Sequence, residues 1–203
     1  MFSVYKKYIL PKLLDRSMRC IDCNGTRSAV AGEARGVVLE IGFGSGYNLP
    51  FYNDVDILYA LEPSKELYDY AQDRIHAVTF PVEHLCRSAE KIPLPDSSVD
   101  TVVSTWVLCS VSDPAQVLKE IKRVLKPEGS FIFVEHGLTR HKFFSTIQRL
   151  VTPLSKRFTG NCHLDRKIDG LITQAGFVCR HIEMLPESGR PLMFSYRGEA
   201  IKE

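Results

Sequence analysis

The sequence predicts an α/β fold built on a mostly parallel sheet. Two observations carry that expectation. Short β-rich runs alternate with helical stretches, and the first run ends in a glycine-rich loop. Continuous apolar strands alternating with helices mean a parallel sheet covered on both faces.

Residues 1–35 read as helical but broken. Leu10, Leu13, Leu14 and Met18 share one helix face, Pro11 is tolerated only near a helix start, and Asn24-Gly25 marks a turn. Strands are expected at 36–41, 57–61, 82–87, 99–104 and 130–135. A helix is expected over 64–75 with Ser64 as N-cap. Another spans 113–125, with Asp113 as cap, Pro114 in its first position and Gly129 beyond its end. Past residue 140 the rhythm changes. Phe143, Phe144, Ile147, Leu150, Val151 and Leu154 form an apolar helical stripe around Pro153. A helix over 164–175 ends at Gly176, and two closing strands near 177–184 and 192–196 suit an antiparallel hairpin.

Composition narrows the function classes. The 203 residues are 44% apolar and 25% charged, ordinary for a globular protein with a real core. A net charge of +2 implies no nucleic-acid partner, and no aromatic–basic recognition module is present. No apolar run is long enough to span a bilayer, and Lys6, Lys7 and Pro11 break any signal-peptide pattern. The expected compartment is cytoplasmic, so the six cysteines are expected as reduced thiols. Cys20 and Cys23 form a C-x-x-C without partner ligands, so no metal is implied. Charge is uneven, however. Residues 1–27 hold six Lys/Arg against Asp15 and Asp22, and 137–167 hold seven against Asp165. Both stretches are also apolar, so a peripheral membrane contact competes with a solvated lid.

The densest chemical signal is Glu40-Ile41-Gly42-Phe43-Gly44-Ser45-Gly46, at the end of the first strand. Ligands bind at such carboxyl ends in open α/β sheets. A dinucleotide fingerprint needs a glycine where Tyr47 stands, and a Walker loop needs Gly-Lys-Ser/Thr. Neither fits. Glu62 closes the second strand, where a carboxylate can accept both ribose hydroxyls.

These residues resemble motif I and its acidic partner in class I methyltransferases. The run 87–100, RSAEKIPLPDSSVD, is similar to the "G-D-A-E-x-L-P-F-x-D-x-S-F-D" segment of the ubiquinone/menaquinone-type (type 11) methyltransferase domain, with Arg87-Ser88 in place of Gly-Asp. LKEIKRVLKPEG at 118–129 resembles that family's helix and turn. Val107–Val111, Glu135-His136 and the Cys162-x-Leu164-x-Arg166 pattern are similar to a subgroup of thiol methyltransferases and phospholipid N-methyltransferases.

The resemblance implies a Rossmann-like seven-stranded sheet in the order 3-2-1-4-5-7-6, helices on both faces and a helical lid. It implies one domain with an N-terminal lid (1–35), a cofactor-binding core (36–136), a helical insert (137–175) and a C-terminal strand pair (176–203). It also implies S-adenosylmethionine as cofactor and S-adenosylhomocysteine as product. The cofactor would meet Glu40, Gly42, Phe43, Gly44, Ser45, Gly46, Asn48, Glu62, Pro63, Ser64, Ala89, Glu90, Thr105 and Trp106.

Cys109, His136, Cys162 and His163 are expected around the acceptor, with His136 either a general base or an orienting residue. The expected reaction is direct displacement onto a small apolar molecule: a thiol, a lipid amine or a quinone-like phenol. Phosphatidylethanolamine N-methylation at a membrane surface and non-catalytic cofactor binding are the alternatives. The apolar stripes of 1–30 and 137–167 are expected to close the acceptor side by covering each other or a greasy substrate.

Overall fold

The computed structural model describes the chain apart from residues 1–4, 6–8, 22–24, 159, 188–189 and 191. Cys23, Lys6 and Lys7 lie outside the described residues, and the side chain of Cys20 is not described. The elements in chain order are α1 (Leu10–Ile21), α2 (Thr26–Ala31), β1 (Arg35–Ile41), β2 (Asp54–Leu61), α3 (Lys65–Asp69), α4 (Gln72–His76), β3 (Val82–Leu85), β4 (Val99–Thr105), α5 (Pro114–Val124), β5 (Leu125–His136), α6 (Lys142–Phe158), α7 (Ile168–Gln174), β6 (Phe177–Pro186) and β7 (Phe194–Lys202).

Among the described residues, seven strands form one sheet in the order β3-β2-β1-β4-β5-β7-β6. The first five are parallel, and β7 runs antiparallel to both β5 and β6. This is the Rossmann-like class I methyltransferase sheet. The central strands alternate their side chains between two cores. Leu39, Ile41, Val102, Phe131 and Phe133 pack with Leu118 and Ile121 of α5 and Ile168 of α7. Val38, Ala60, Val103, Ile132 and Val134 pack on the other face with Val30 and Ala31 of α2. Strand order reverses beside β1, where β2 and β4 diverge. That leaves a crevice at the carboxyl ends of the strands.

Local signals explain most boundaries. Ser64 caps α3 by accepting the Leu67 N–H, and Asp113 caps α5 by accepting the Gln116 N–H. Gly176, at φ +77°, follows α7. Several boundaries differ from expectation. The 64–75 helix is two short ones, and the last helix starts at Ile168 because 162–166 are drawn inward as a loop. The β5 assignment begins at Leu125, and β7 continues to Lys202.

The α6 stripe is the main correction. Only part of it is covered: Phe144, Ile147 and Val151 are half-buried. Phe143, Leu150 and Leu154 are 65%, 75% and 62% exposed. The inward face carries Gln148 and Thr152 instead, both buried. Gln148 accepts the Thr139 N–H at 2.8 Å and donates to the carbonyls of Gly137 (3.0 Å) and Leu192 (3.1 Å). Loop backbone that needs partners has outbid apolar contact for this face. Gln148→Ala should therefore cost about 1–3 kcal/mol in chemical denaturation. Leu150→Ser should stay within about 0.5 kcal/mol of the parent. The opposite ranking would mean that α6 packs the other way round.

Candidate active site

The glycine loop leaves β1 and doubles back on itself. Gly42, Gly44 and Gly46 all have left-handed φ, of 61°, 57° and 73°. A side chain at Gly42 would strike Val107 at 2.3 Å, so that glycine is required by packing. A Cβ at Gly44 would meet nothing nearer than 3.7 Å. It would project into a cavity of about 630 Å³ whose wall includes Gly42, Phe43, Gly44 and Ser45.

Glu62 pins this loop. Its buried carboxylate accepts the N–H of Gly44 at 3.0 Å and of Ser64 at 2.9 Å, while still bordering the cavity. Burial raises its pKa against the lowering effect of these two N–H groups. Each oxygen keeps a second lone pair for a sugar hydroxyl. Pro63, Ala89, Thr105 and Trp106 complete the adjoining wall.

Glu40, Gly46, Asn48, Ser64, Glu90 and His163 do not border the cavity. Glu40 and Asn48 lie beneath it. Asn48 and the Tyr52 hydroxyl donate to Glu40 at 2.7 and 2.8 Å, and burial pushes the Glu40 carboxyl up to about 7. Asn48 also accepts from Arg27 at 2.9 Å and donates to Thr105 at 3.2 Å. This is a buried polar floor for the loop. Ser64 works as a helix cap, and Glu90 receives the Ser88 hydroxyl.

At its far end the cavity is lined by Cys109, His136 and Cys162. His136 Nδ1 lies 3.8 Å from Cys109 Sγ and 3.5 Å from Cys162 Sγ. Its Nε2 lies 2.9 Å from Glu187 Oε1, an ion-pair distance without hydrogen-bond alignment. Burial opposes charge on His136, but Cys109 and Glu187 outweigh it and lift its pKa to about 9. His136 in turn holds Glu187 below the usual carboxylate range, against burial. The Cys109 thiol is pushed well up by its contact with Cys162 and by burial.

Two clamps fix this cluster. Buried Glu135 accepts the Ser104 hydroxyl and the N–H groups of Val107 (2.9 Å) and Cys109 (3.1 Å). Arg166 donates to the carbonyls of Leu108 and Val111, and the His163 N–H donates to Cys109 O at 2.7 Å. His163 contributes backbone here, and its side chain stays off the cavity.

Sequence reasoning missed Arg27, Glu135, Glu187 and Met193. Arg27 is buried above the Trp106 ring, 4.8 Å from its centroid, and borders the cavity. Only the Glu-His pair after β5 pointed toward Glu135. The other three come from segments without any motif.

Comparison with known proteins agrees with this geometry. Residues 39–133 match the family described as a methyltransferase domain. A thiol S-methyltransferase of Rattus norvegicus is 32% identical over 190 residues, covering 89% of this chain and 74% of that protein. The chain is a class I S-adenosylmethionine-dependent methyltransferase. A thiol S-methyltransferase of Homo sapiens is 28% identical, over 78% of the methyltransferase and 69% of the relative. A phosphatidylethanolamine N-methyltransferase of Cereibacter sphaeroides is 32% identical over 54% of this chain and 56% of its own. In fold, the methyltransferase is similar to the YcgJ protein of Bacillus subtilis, with a TM-score of 0.67 and 18% identity, covering 94% and 97% of the two chains.

S-adenosylmethionine fits the residues present. The loop offers backbone without side chains at Gly44, and Glu62 offers a buried carboxylate with free lone pairs. Gly44→Val should abolish S-adenosylhomocysteine binding in calorimetric titration, because the side chain is strained at this φ and fills the cavity. Glu62→Ala should weaken binding by about 1–3 kcal/mol. Unchanged affinity in Glu62→Ala would remove Glu62 from the site.

Proposed function

We propose that the methyltransferase methylates the sulfur of a small apolar thiol. The observation that carries this reading is one cavity with two chemistries. The glycine loop and Glu62 border one part of it, and Cys109, His136 and Cys162 border another. Apolar side chains, including Leu14, Met18, Trp106 and Met193, line the same cavity. An apolar chamber with few polar groups favours a greasy acceptor over a charged one. The relatives named thiol S-methyltransferases support sulfur as the acceptor atom.

In this reading the loop backbone from Gly42 to Ser45 and the Glu62 carboxylate hold the cofactor, with Ala89, Thr105 and Trp106 against it. When bound, S-adenosylmethionine supplies a methyl carbon open to direct displacement. The protein's contribution is alignment and exclusion of water, and alignment alone can be worth ~7–11 kcal/mol. His136 acts as a positioning residue. Sulfur atoms face one ring nitrogen and Glu187 faces the other, so the side chains around the ring fix its place beside the two cysteines.

Incubation with labelled S-adenosylmethionine and a panel of alkyl thiols, lipid amines and phenols tests the assignment. Methyl thioethers are the expected products. Methylation of phosphatidylethanolamine with no thioether formed would overturn it, as would cofactor binding without turnover on any acceptor.

The exposed face of α6 favours a second reading, concerning place rather than chemistry. Phe143, Leu150 and Leu154 stand on a helix that also carries Lys142, Arg149, Lys156 and Arg157 and no acidic residue. No described helix is long and apolar enough to cross a membrane. An apolar stripe flanked by cations matches an anionic membrane surface. In this reading the chain is a peripheral protein that draws its acceptor from the bilayer. Vesicles containing phosphatidylglycerol should float the protein at low salt, and the F143S/L150S/L154S variant should stay behind. Equal flotation of the two, or none, would remove α6 as the contact.

A further inference from the structure

Three soft or borderline ligand atoms converge at the end of the acceptor cavity. Cys109, His136 and Cys162 are buried, and their ligating atoms lie within 4.8 Å of one another. Tetrahedral zinc with bonds of 2.3 Å to sulfur and 2.0–2.1 Å to nitrogen would set sulfur about 3.6 Å from nitrogen. The observed separations from His136 Nδ1 are 3.5 and 3.8 Å. The same geometry asks for about 3.8 Å between the sulfurs, which lie within 4.8 Å of each other.

The surroundings also suit a metal. Ligating histidines commonly direct their second ring nitrogen at a carboxylate, which fixes the tautomer and the ring plane. Glu187 Oε1 stands 2.9 Å from His136 Nε2, out of hydrogen-bond alignment but the carboxylate beside the second ring nitrogen. Two thiolates would balance the charge of a divalent ion. The Glu135 carboxylate, which accepts the Cys109 N–H, and the Asn161 and Arg166 side chains, which donate to the carbonyls of Ser110 and Leu108, already fix the loop that carries Cys109. The three residues come from the loop after β4, the end of β5 and the segment before α7, so no sequence spacing announces them.

We propose that Cys109, His136 and Cys162 bind one zinc ion whose fourth position opens to the cavity and takes the acceptor thiol as a thiolate. Three protein ligands with an open position are the pattern of a catalytic zinc site. Coordination releases the thiol proton to solvent and changes no oxidation state. The bound thiolate keeps a lone pair on sulfur. That pair forms the new sulfur–carbon bond as the donor's sulfonium–carbon bond breaks, and a neutral thioether leaves the metal. The thiolate role rests on the thiol reading above, while the metal site stands without it.

The test uses the full chain, reduced and handled without oxygen so that the two cysteines cannot pair. Zinc analysis should give about one ion per chain. Exchange for Co²⁺ should give the intense visible bands of a tetrahedral site and a sulfur-to-cobalt charge-transfer band. Adding hexanethiol without any cofactor should shift them. Cys162→Ser should lose most of the metal while still binding S-adenosylhomocysteine, which shows that it folds. Cys86→Ser, at an exposed thiol, should keep the full content. A reduced protein that takes up neither Zn²⁺ nor Co²⁺ overturns the site, even if it methylates thiols, in which case the thiol reading survives. Cobalt bands indifferent to hexanethiol overturn the open position. Bands that shift with hexanethiol in a protein that never methylates a thiol support the site and sink the thiol reading.

Discussion

Buried carboxylates at the carboxyl edge of the sheet hold the active site together. Glu40 lies near the end of β1, Glu62 directly follows β2, and Glu135 lies near the end of β5. Each accepts hydrogen bonds from a loop or a neighbouring strand end. A buried carboxylate is costly unless its lone pairs are used. That cost ties each loop to one geometry: a loop that moves leaves an oxygen without a partner. Glu62 fixes the glycine loop, Glu40 its floor and Glu135 the segment that carries Cys109. The shape of the cavity follows from these three ties.

The cavity they shape is chemically divided. In the proposed reading its cofactor side is backbone, glycine and one carboxylate, suited to a sugar and a nucleobase, and its acceptor side is apolar and carries sulfur and imidazole. Hard and soft groups are thus kept apart on one continuous wall. The loops after β1 and β2 border the first part, with Thr105 and Trp106 at the end of β4 beside them, while Cys109 after β4, His136 at the end of β5 and Cys162 before α7 border the second.

The sheet was legible in the sequence, and so were residues bordering the cavity at the ends of β1 and β2, because their signals are local. Strands of the core are short apolar runs, and Gly42, Gly44 and Glu62 stand at strand ends where fold geometry gives them meaning. Glu40, Asn48 and Glu90 were expected at the cofactor and do not line the cavity, since a motif does not say which side of a loop faces the ligand. The far end was legible only in pieces. Cys109, His136 and Cys162 were expected around the acceptor together with His163, but no spacing rule joins residues so far apart in the chain or sets their mutual distances. Glu187 and Arg27 carry no motif at all. The α6 stripe misled for a different reason. Periodicity shows that one face is apolar but not whether the fold buries it, and Gln148 decides the matter through loop backbone that the sequence does not reveal.

The central claim is that cofactor and acceptor share one cavity. A bisubstrate ligand tests it most directly: an adenosyl amino acid whose sulfur also carries an aliphatic chain, titrated calorimetrically against S-adenosylhomocysteine. If the chain enters the chamber ending at Cys109, His136 and Cys162, the bisubstrate ligand should bind at least about tenfold more tightly, a gain of about 1.4 kcal/mol. Affinity equal to or weaker than that of S-adenosylhomocysteine would contradict the shared cavity.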